Sequence, residues 1–320
     1  MPNPRDTSML VRAATLYYID GLSQAEVAAR IGVTRSNVSR VLSDARRLGI
    51  VEITVNDPFG RSEGLERQLR DRFGLRECLV APTGSADAAL PRVGALGAEW
   101  LVGHLPEHGS IAVSWGSAVQ ALVDAMSSPE SHPELEVLPL VGGLSNVDST
   151  RDANVLVRLL AARLGCVHRR LYAPAVVESS VTREAFLAEP AIGEVLQAAR
   201  GASIAIVGIG SAGSGASSAI VDSMHLDHAE RAAFEAMGAV GDCCTRFFDR
   251  DGTPVRSSVD ERVIAIDLPD LLEIPTVMGI AAGRAKAPGV HAALNGHFFD
   301  VLAIDSELAE ALLALPAPRR

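Results

Sequence analysis

Lysine is almost missing from this chain. Of the 29 lysine and arginine residues in its 320 positions, only Lys286 is lysine. Cysteine is scarce as well: Cys78, Cys166, Cys243 and Cys244. They form no CxxC pair, and the neighbours at 243 and 244 are poorly placed to bridge each other. That argues against a disulfide framework and fits free thiols in a reducing compartment. No apolar run reaches the ~20 residues of a membrane-spanning helix. The first residues do not read as a secretory signal, so the expected location is the cytoplasm. Positive charge is in deficit, with a formal net charge of -10, which excludes a uniformly basic coat for nucleic acid. No short internal repeat is evident.

The charge that is present is unevenly spread. Residues 1–56 hold seven arginines against five acids, a local excess of +2, and the remainder carries -12. A small anion-seeking module attached to an acidic body has this signature. The 48% hydrophobic content supports a sizeable core and more than one domain.

The basic segment has the punctuation of three helices. Residues 10–19 are helix-compatible and stop at Asp20-Gly21. Ser23-Gln24-Ala25-Glu26 is a capping box, so a second helix runs from there to about Ile31. Gly32 makes a turn, and Thr34 caps a third helix from Arg35 to about Leu48. Val38, Val41, Leu42, Ala45 and Leu48 share one face of it. Arg35, Ser36, Asn37, Ser39 and Arg40 lie off that face. Arginine suits guanine edges or phosphates and asparagine suits adenine. The pattern predicts a helix-turn-helix on double-stranded operator DNA, with Ser23, Gln24, Thr34, Arg35, Ser36, Asn37, Ser39 and Arg40 as contact residues. Residues 50–55 alternate as a short strand. Asn56 to Gly60 break the pattern, giving domains 1–56 and 57–320.

Residues 63–73 form an amphipathic helix. Beyond them, apolar runs at 77–81, 110–114, 136–141, 167–172, 203–209, 263–267, 276–280 and 299–304 alternate with helical patterns at 88–101, 117–125, 151–164, 228–237 and 307–313. The alternation predicts an α/β fold with a doubly wound, mostly parallel sheet of Rossmann-like type, which binds ligands at the carboxyl ends of its strands. Small residues gather at three such ends: Ser114-Trp115-Gly116-Ser117, Val141-Gly142-Gly143-Leu144 and Gly208 to Gly213. Glycine loops at helix N-termini suit anions or polar ligands. Residues 208–213 match GxGxxG, but the acid at the expected distance, Asp227, sits where a helix begins, which speaks against nicotinamide. Lys286 follows the 276–280 strand, where a ligand would lie. It suits a phosphate, a hydroxyl or a Schiff base. No metal-ligand set is complete, and no catalytic or metal residue is assigned.

The segments 22–33 (LSQAEVAARIGV) and 39–53 (SRVLSDARRLGIVEI) resemble the DNA-binding region of SorC-type sugar-responsive regulators. Phe247-Phe248-Asp249, Gly241-Asp242, Ala282-Gly283-x-x-Lys286-Ala287 and Asp300 to Asp305 look like the effector domain of the same family. Nearly the whole chain is covered. The resemblance implies a fold similar to sugar-phosphate isomerases, dimers or tetramers, and a small carbohydrate effector, with no cofactor. It implies effector contacts at Gly116, Ser117, Gly142, Gly143, Leu144, Asp152, Asp242 and Lys286, to which the strand-end rule adds Gly208. Val141 stands where some relatives have arginine, and Asp152 where some have glutamine. Both changes favour a monophosphorylated or unphosphorylated sugar or polyol over a bisphosphate. The competing expectation is a sugar-phosphate isomerase or deaminase with an accessory DNA-binding domain.

Overall fold

The computed structural model describes residues 4–51, 61–82, 86–128, 130–144, 152–212 and 215–317. The chain divides into two compact units, Met1–Asp57 and Pro58–Arg320.

In the first unit a helix, Pro4–Ala14, runs on into a π-helical turn, Thr15–Ile19. The capping box forms in both directions: Glu26 N–H donates to Ser23 Oγ at 3.4 Å, and Ser23 N–H donates to Glu26 Oε2 at 2.8 Å. It starts the helix Gln24–Ile31. Gly32 ends that helix at φ +76°, a conformation that favours glycine. Thr34 Oγ1 then accepts from Asn37 N–H at 3.3 Å and starts the helix Arg35–Arg47. Leu10, Ala13, Leu16, Val27, Ala28, Val38, Leu42 and Ala45 make the core between the three helices. The expected strand at 50–55 does not begin where the alternation placed it. Ile50 and Val51 N–H both donate to Ala45 O and close off the third helix, and 52–55 lie outside the described residues. Thr34→Ala is expected to cost this unit about 1 kcal/mol, while Thr34→Asn keeps most of it. Urea unfolding followed at the helical band checks both.

Among its described residues the second unit has ten strands: β1 Glu77–Ala81, β2 Gly109–Val113, β3 Leu135–Pro139, β4 Val167–His168, β5 Ile204–Gly208, β6 Gly210–Ser211, β7 Gly241–Cys243, β8 Arg246–Phe248, β9 Val277–Ile280 and β10 Val301–Asp305. Seven pair in the order β1-β10-β9-β5-β2-β3-β4, every neighbour parallel. The strands are apolar along their length because both faces are covered. Val80 and Ala112 feed one core, while Leu79, Ala81, Ile111 and Val113 feed the other. That is the period-two alternation of a strand. The remaining three, β6-β7-β8, make a small antiparallel sheet.

The winding decides where a ligand can sit. From β2 the chain moves outward to β3 and β4. It returns to β5 on the other side of β2 and proceeds to β9 and β10. The direction reverses between β2 and β5, and loops leaving these two strands diverge and open a crevice. Ser114 stitches the pair there, its Oγ accepting from Gly208 N–H at 3.0 Å. At the β1 edge, Ser62 N–H donates to Val80 O. Glu66, ion-paired to Arg61, accepts from Val80 N–H at 2.9 Å.

Two expected strands differ. The run at 167–172 pairs only at Val167 and His168. The run at 263–267 joins neither sheet and makes single bridges to Val141 and Val176. Three of its carbonyls are taken by arginine: Val263 and Ala265 accept from Arg246 Nη2, Ile266 from Arg246 Nε, and Val263 also from Arg183. What is left, Ile264 N–H and O and Ile266 N–H, pairs with Ala175, Gly142 and Leu140, enough for single bridges on either side but not for a ladder.

Candidate functional site

The crevice holds a cavity of about 260 Å³. Its walls come from the carboxyl ends of β1, β2, β5, β9 and β10 and from the β7–β8 hairpin: Pro82, Trp115 to Ala118, Gly208 to Gly210, Asp242, Cys244, Ala281 to Gly283 and Asp305 to Glu307, joined by Lys286. Gly116 is the N-cap of the helix Ser117–Ala125 and provides no side-chain cap. Gly116, Ser117 and Ala118 line the cavity, so the N-terminus of that helix borders it, an arrangement that favours an anion or a hydroxyl oxygen.

Two charged groups face each other in this space. Asp242, in the middle of β7, is 4% exposed. Burial pushes its carboxyl above the usual range, against the pull of the Ser217 hydroxyl, the Lys286 charge and the Thr245 N–H. Lys286 sits at the end of a 3-10 turn, Arg284–Lys286, just before the helix Ala287–Asn295. Burial lowers its ammonium from the ordinary lysine range, and Asp242 opposes that shift. No carboxylate of the described residues lies within ion-pair distance of Lys286. Asp305 is spent locally: Oδ2 accepts from Gly283 N–H and Oδ1 from Leu308 N–H, both at 2.8 Å. It thus fixes the turn that carries Lys286. The cavity offers an ammonium, a carboxylate and a helix N-terminus. That set suits a polyhydroxylated ligand with room for one anionic group.

Of the residues expected from sequence, Gly116, Ser117, Gly208, Asp242 and Lys286 meet in this cavity. Gly142, Gly143, Leu144 and Asp152 lie together beyond the end of β3 and do not line it. There Asp152 caps the helix Ala153–Leu164, with Oδ1 accepting from Asn154 N–H and Oδ2 from Leu144 N–H. Residues 145–151, between them, lie outside the described residues. Sequence reading picked out Ser114 and Gly210 only as members of their strand-end loops, and it missed Ser217 and the Cys244-Thr245 turn. It also passed over Asp305, which the strand-end rule marks as an acid closing β10 ahead of a helix. Gly210 is where close approach matters most. A Cβ there would stand 1.8 Å from Asp242 Oδ1 and 2.2 Å from Ser217 Oγ. Gly210→Ala is therefore expected to distort the cavity and to lower the melting temperature by several degrees, read by calorimetry. Gly103→Ala, whose added Cβ meets nothing and whose φ is not positive, is the comparison for a glycine replaced without a collision.

In the first unit, Arg35, Ser36, Asn37, Ser39 and Arg40 are exposed, off the face that buries Val38, Leu42 and Ala45. Ser23 and Thr34 spend their hydroxyls on caps, and Gln24 is half-buried at the start of the second helix.

Among the described residues no group of three or more His, Cys, Asp or Glu is arranged to hold a metal. No helix of those residues is long and apolar enough to cross a membrane.

Comparison with known proteins agrees with this architecture. The Sugar-bind family, a sugar-binding domain, matches residues 57–314, and sigma-70 region 4 matches residues 15–48. The sorbitol operon regulator of Klebsiella pneumoniae is 32% identical over 322 residues, spanning 98% of this chain and 100% of that one. The deoxyribonucleoside regulator of Bacillus subtilis is 29% identical over 95% of this chain and 96% of its own length. Among solved structures, full-length SorC from Klebsiella pneumoniae superposes with a TM-score of 0.75 at 30% identity, covering 97% of this chain and 100% of SorC. The sugar-binding domain of a transcriptional repressor from Vibrio fischeri gives 0.72 at 31% identity over 79% of this chain and 98% of that domain. With a helix-turn-helix at its N-terminus and a parallel α/β effector domain behind it, the chain belongs to the SorC family of sugar-binding transcriptional regulators.

Proposed function

We propose that the cavity at the β2–β5 reversal receives a monophosphorylated or unphosphorylated sugar or polyol, and that its occupancy changes the affinity of residues 23–40 for an operator of a carbohydrate or polyol catabolic gene set. The observation that carries this reading is Lys286. The one lysine of an arginine-rich chain stands half-buried in the cavity, opposite a buried carboxylate. The uncapped helix at Ser117 gives one anionic group a place, and the Asp242 carboxylate gives hydroxyls one. A second phosphate finds no further cation among the described lining residues. Gly142 to Leu144 and Asp152 belong to the proposal as a neighbouring wall that a longer ligand reaches. Coupling to DNA requires the effector to bind two arrangements of the protein unequally. A homo-oligomer presenting two helix-turn-helix units reads two half-sites.

The test is thermal stability of the full chain against a panel of sugars, polyols and their mono- and bisphosphates. A ligand at a hundred times its Kd stabilises by about 2.7 kcal/mol. A shift that appears with a monophosphate or polyol and vanishes in Lys286→Ala supports the site. Tight binding of a sugar bisphosphate in calorimetry overturns the choice of ligand class.

For the DNA side, each phosphate neutralised contributes about 0.9 to the slope of log K against log salt. Replacing Arg35 and Arg40 together by alanine is expected to flatten that slope by about one to two. Fluorescence anisotropy on duplex DNA across a salt series reads it.

A further inference from the structure

The cavity's carboxylate is held with unusual care, by groups that need no ligand to explain them. Asp242 and Ser217 are both almost fully buried, at 4% and 3% exposure, and the Ser217 hydroxyl donates to Asp242 Oδ1. Ser217 comes from a different element, the helix Gly215–Ser223. The backbone N–H of Thr245 stands near enough to favour the ionised carboxyl. Thr245 closes the two-residue turn between β7 and β8, where Cys243 pairs with Arg246. Turns of this length need positive φ at both central residues and normally use Asn or Gly. Here Cys244 and Thr245 take φ of 52° and 66°. A β-branched residue in that region is strained, and the Thr245 side chain gains no polar contact in return, since its buried Oγ1 has no hydrogen-bond partner. The turn is held from behind by Arg246, whose guanidinium is fastened to Asp260 and Asp267. From above, the β6 backbone at Gly210 lies so close to Asp242 and Ser217 that no Cβ fits.

We propose that Ser217 is a positioning group that, with the strained Cys244-Thr245 turn and the β6 backbone packed around it, fixes the Asp242 carboxylate in the cavity wall facing Lys286, leaving its remaining acceptor capacity for a ligand hydroxyl. Only the last clause rests on reading the cavity as the effector site. The rest is a statement about the empty protein. Strain in the turn, close approach at Gly210 and the buried Ser217 hydroxyl converge on one carboxylate. A buried carboxylate without donors is costly and would take up a proton instead. The Ser217 donor therefore sets its direction and opposes the rise that burial imposes on its pKa. Lys286 feels that charge across the cavity. The other ionisable groups around the space are Asp305, fixed by its two N–H donors, Glu307 at the rim and the Cys244 thiol.

Lys286 also supplies the measurement, because it is the chain's single lysine. Full-length protein grown with lysine labelled at Cε gives one lysine side-chain resonance, and its pH titration reports the Lys286 ammonium directly, with no ligand present. In Asp242→Asn the midpoint is expected to fall, since the supporting negative charge is gone. In Ser217→Ala it is expected to fall in the same direction. Without the Ser217 hydroxyl, the carboxylate is no longer held towards the cavity, so its charge supports the ammonium from farther away. Ser217→Thr, which keeps the hydroxyl, is expected to titrate close to the parent, so a general loss of packing is distinguished from loss of the donor. A backbone amide spectrum matching the parent certifies the fold of each variant. A Ser217→Ala midpoint equal to the parent's, beside a shifted Asp242→Asn, overturns the positioning role and returns Ser217 to an ordinary lining residue. An unshifted Asp242→Asn overturns the Asp242–Lys286 pairing itself. Either result leaves the ligand panel to decide the effector reading independently.

Discussion

Arg246→Met is expected to destabilise the effector unit by about 3 kcal/mol, the lower end of what breaking a buried charge cluster costs. The guanidinium is 2% exposed. It pairs with Asp260 Oδ1 at 2.8 Å and donates to the Asp260, Val263, Ala265 and Ile266 carbonyls. Asp267 Oδ1 is 2.8 Å from Nη2 but accepts no aligned hydrogen bond, so that contact is an ion pair only. Methionine fills most of the volume but removes a donor from four carbonyls and from the Asp260 carboxylate and a charge partner from Asp267, with only Val263 of the carbonyls keeping an arginine, Arg183. Two features keep the loss from being larger. Asp260 retains Arg256 at 2.9 Å, and Asp267 is open enough to be rehydrated. At ~2–4 °C per kcal/mol for a unit of this size, the melting temperature should drop by roughly 6–12 °C. A companion variant, Asp267→Asn, should lose much less. A loss in Arg246→Met below about 1 kcal/mol would mean that the 260–267 segment is held by packing alone.

The second large effect is on ligand response rather than stability. Lys286→Ala is expected to weaken effector binding by about ten- to a hundredfold, the value of about 1.5–3 kcal/mol for a hydrogen bond to a charged group. At neutral pH the melting temperature of the unliganded protein should not fall, because the ammonium has no ion-pair partner among the described residues and alanine removes the cost of burying its charge. Lys286→Arg should recover little. The guanidinium is larger, planar and permanently charged, in a cavity of about 260 Å³. The folded-state value of the Lys286 ammonium is lowered. Between that value and the unfolded one, the unfolded chain binds more protons, so stability rises with pH across this window. Below it the burial cost is fully present. Lys286→Ala should remove this alkaline rise, which a melting series at increasing pH reads. A parent-like response to ligand in Lys286→Arg would mean that charge alone suffices.

The features legible in the sequence were those with short-range signatures. Ser23 and Thr34 announce their helices by the spacing to Glu26 and Asn37, and both caps form. The parallel sheet is legible because its strands are apolar on both faces. The strand-end rule picks Gly116, Gly208 and Lys286 out of three separate loops, and the fold brings them to one cavity. What escaped has long-range causes. The run at 263–267 has strand composition, but its Val263, Ala265 and Ile266 carbonyls are claimed by Arg246, a residue some twenty positions earlier. The β7–β8 hairpin has strands of three residues and a Cys-Thr turn with no glycine or asparagine to mark it. Ser217 is one serine among several in a small-residue helix. Only its partner, Asp242, separates it from the others. Asp152 carries a cap signature and a resemblance to a ligand contact at once, and sequence alone does not rank the two.

The treatment of the sheet's margins bears on how the protein behaves in a crowded cell. A parallel sheet ends in two rows of peptide groups, and any extended chain nearby can add itself to such a row. At β1 that growth is stopped by a carboxylate used as a plug. Glu66 occupies the Val80 N–H, Ser62 takes the Val80 carbonyl, and Arg61 neutralises the charge so introduced. At the far side, β4 offers only two paired residues beside the Glu136–Arg169 ion pair, too short and too charged a template for another strand. Glu66→Val is accordingly a substitution to watch for fibre growth: it unplugs one margin while leaving the core, the cavity and the helix-turn-helix as they were.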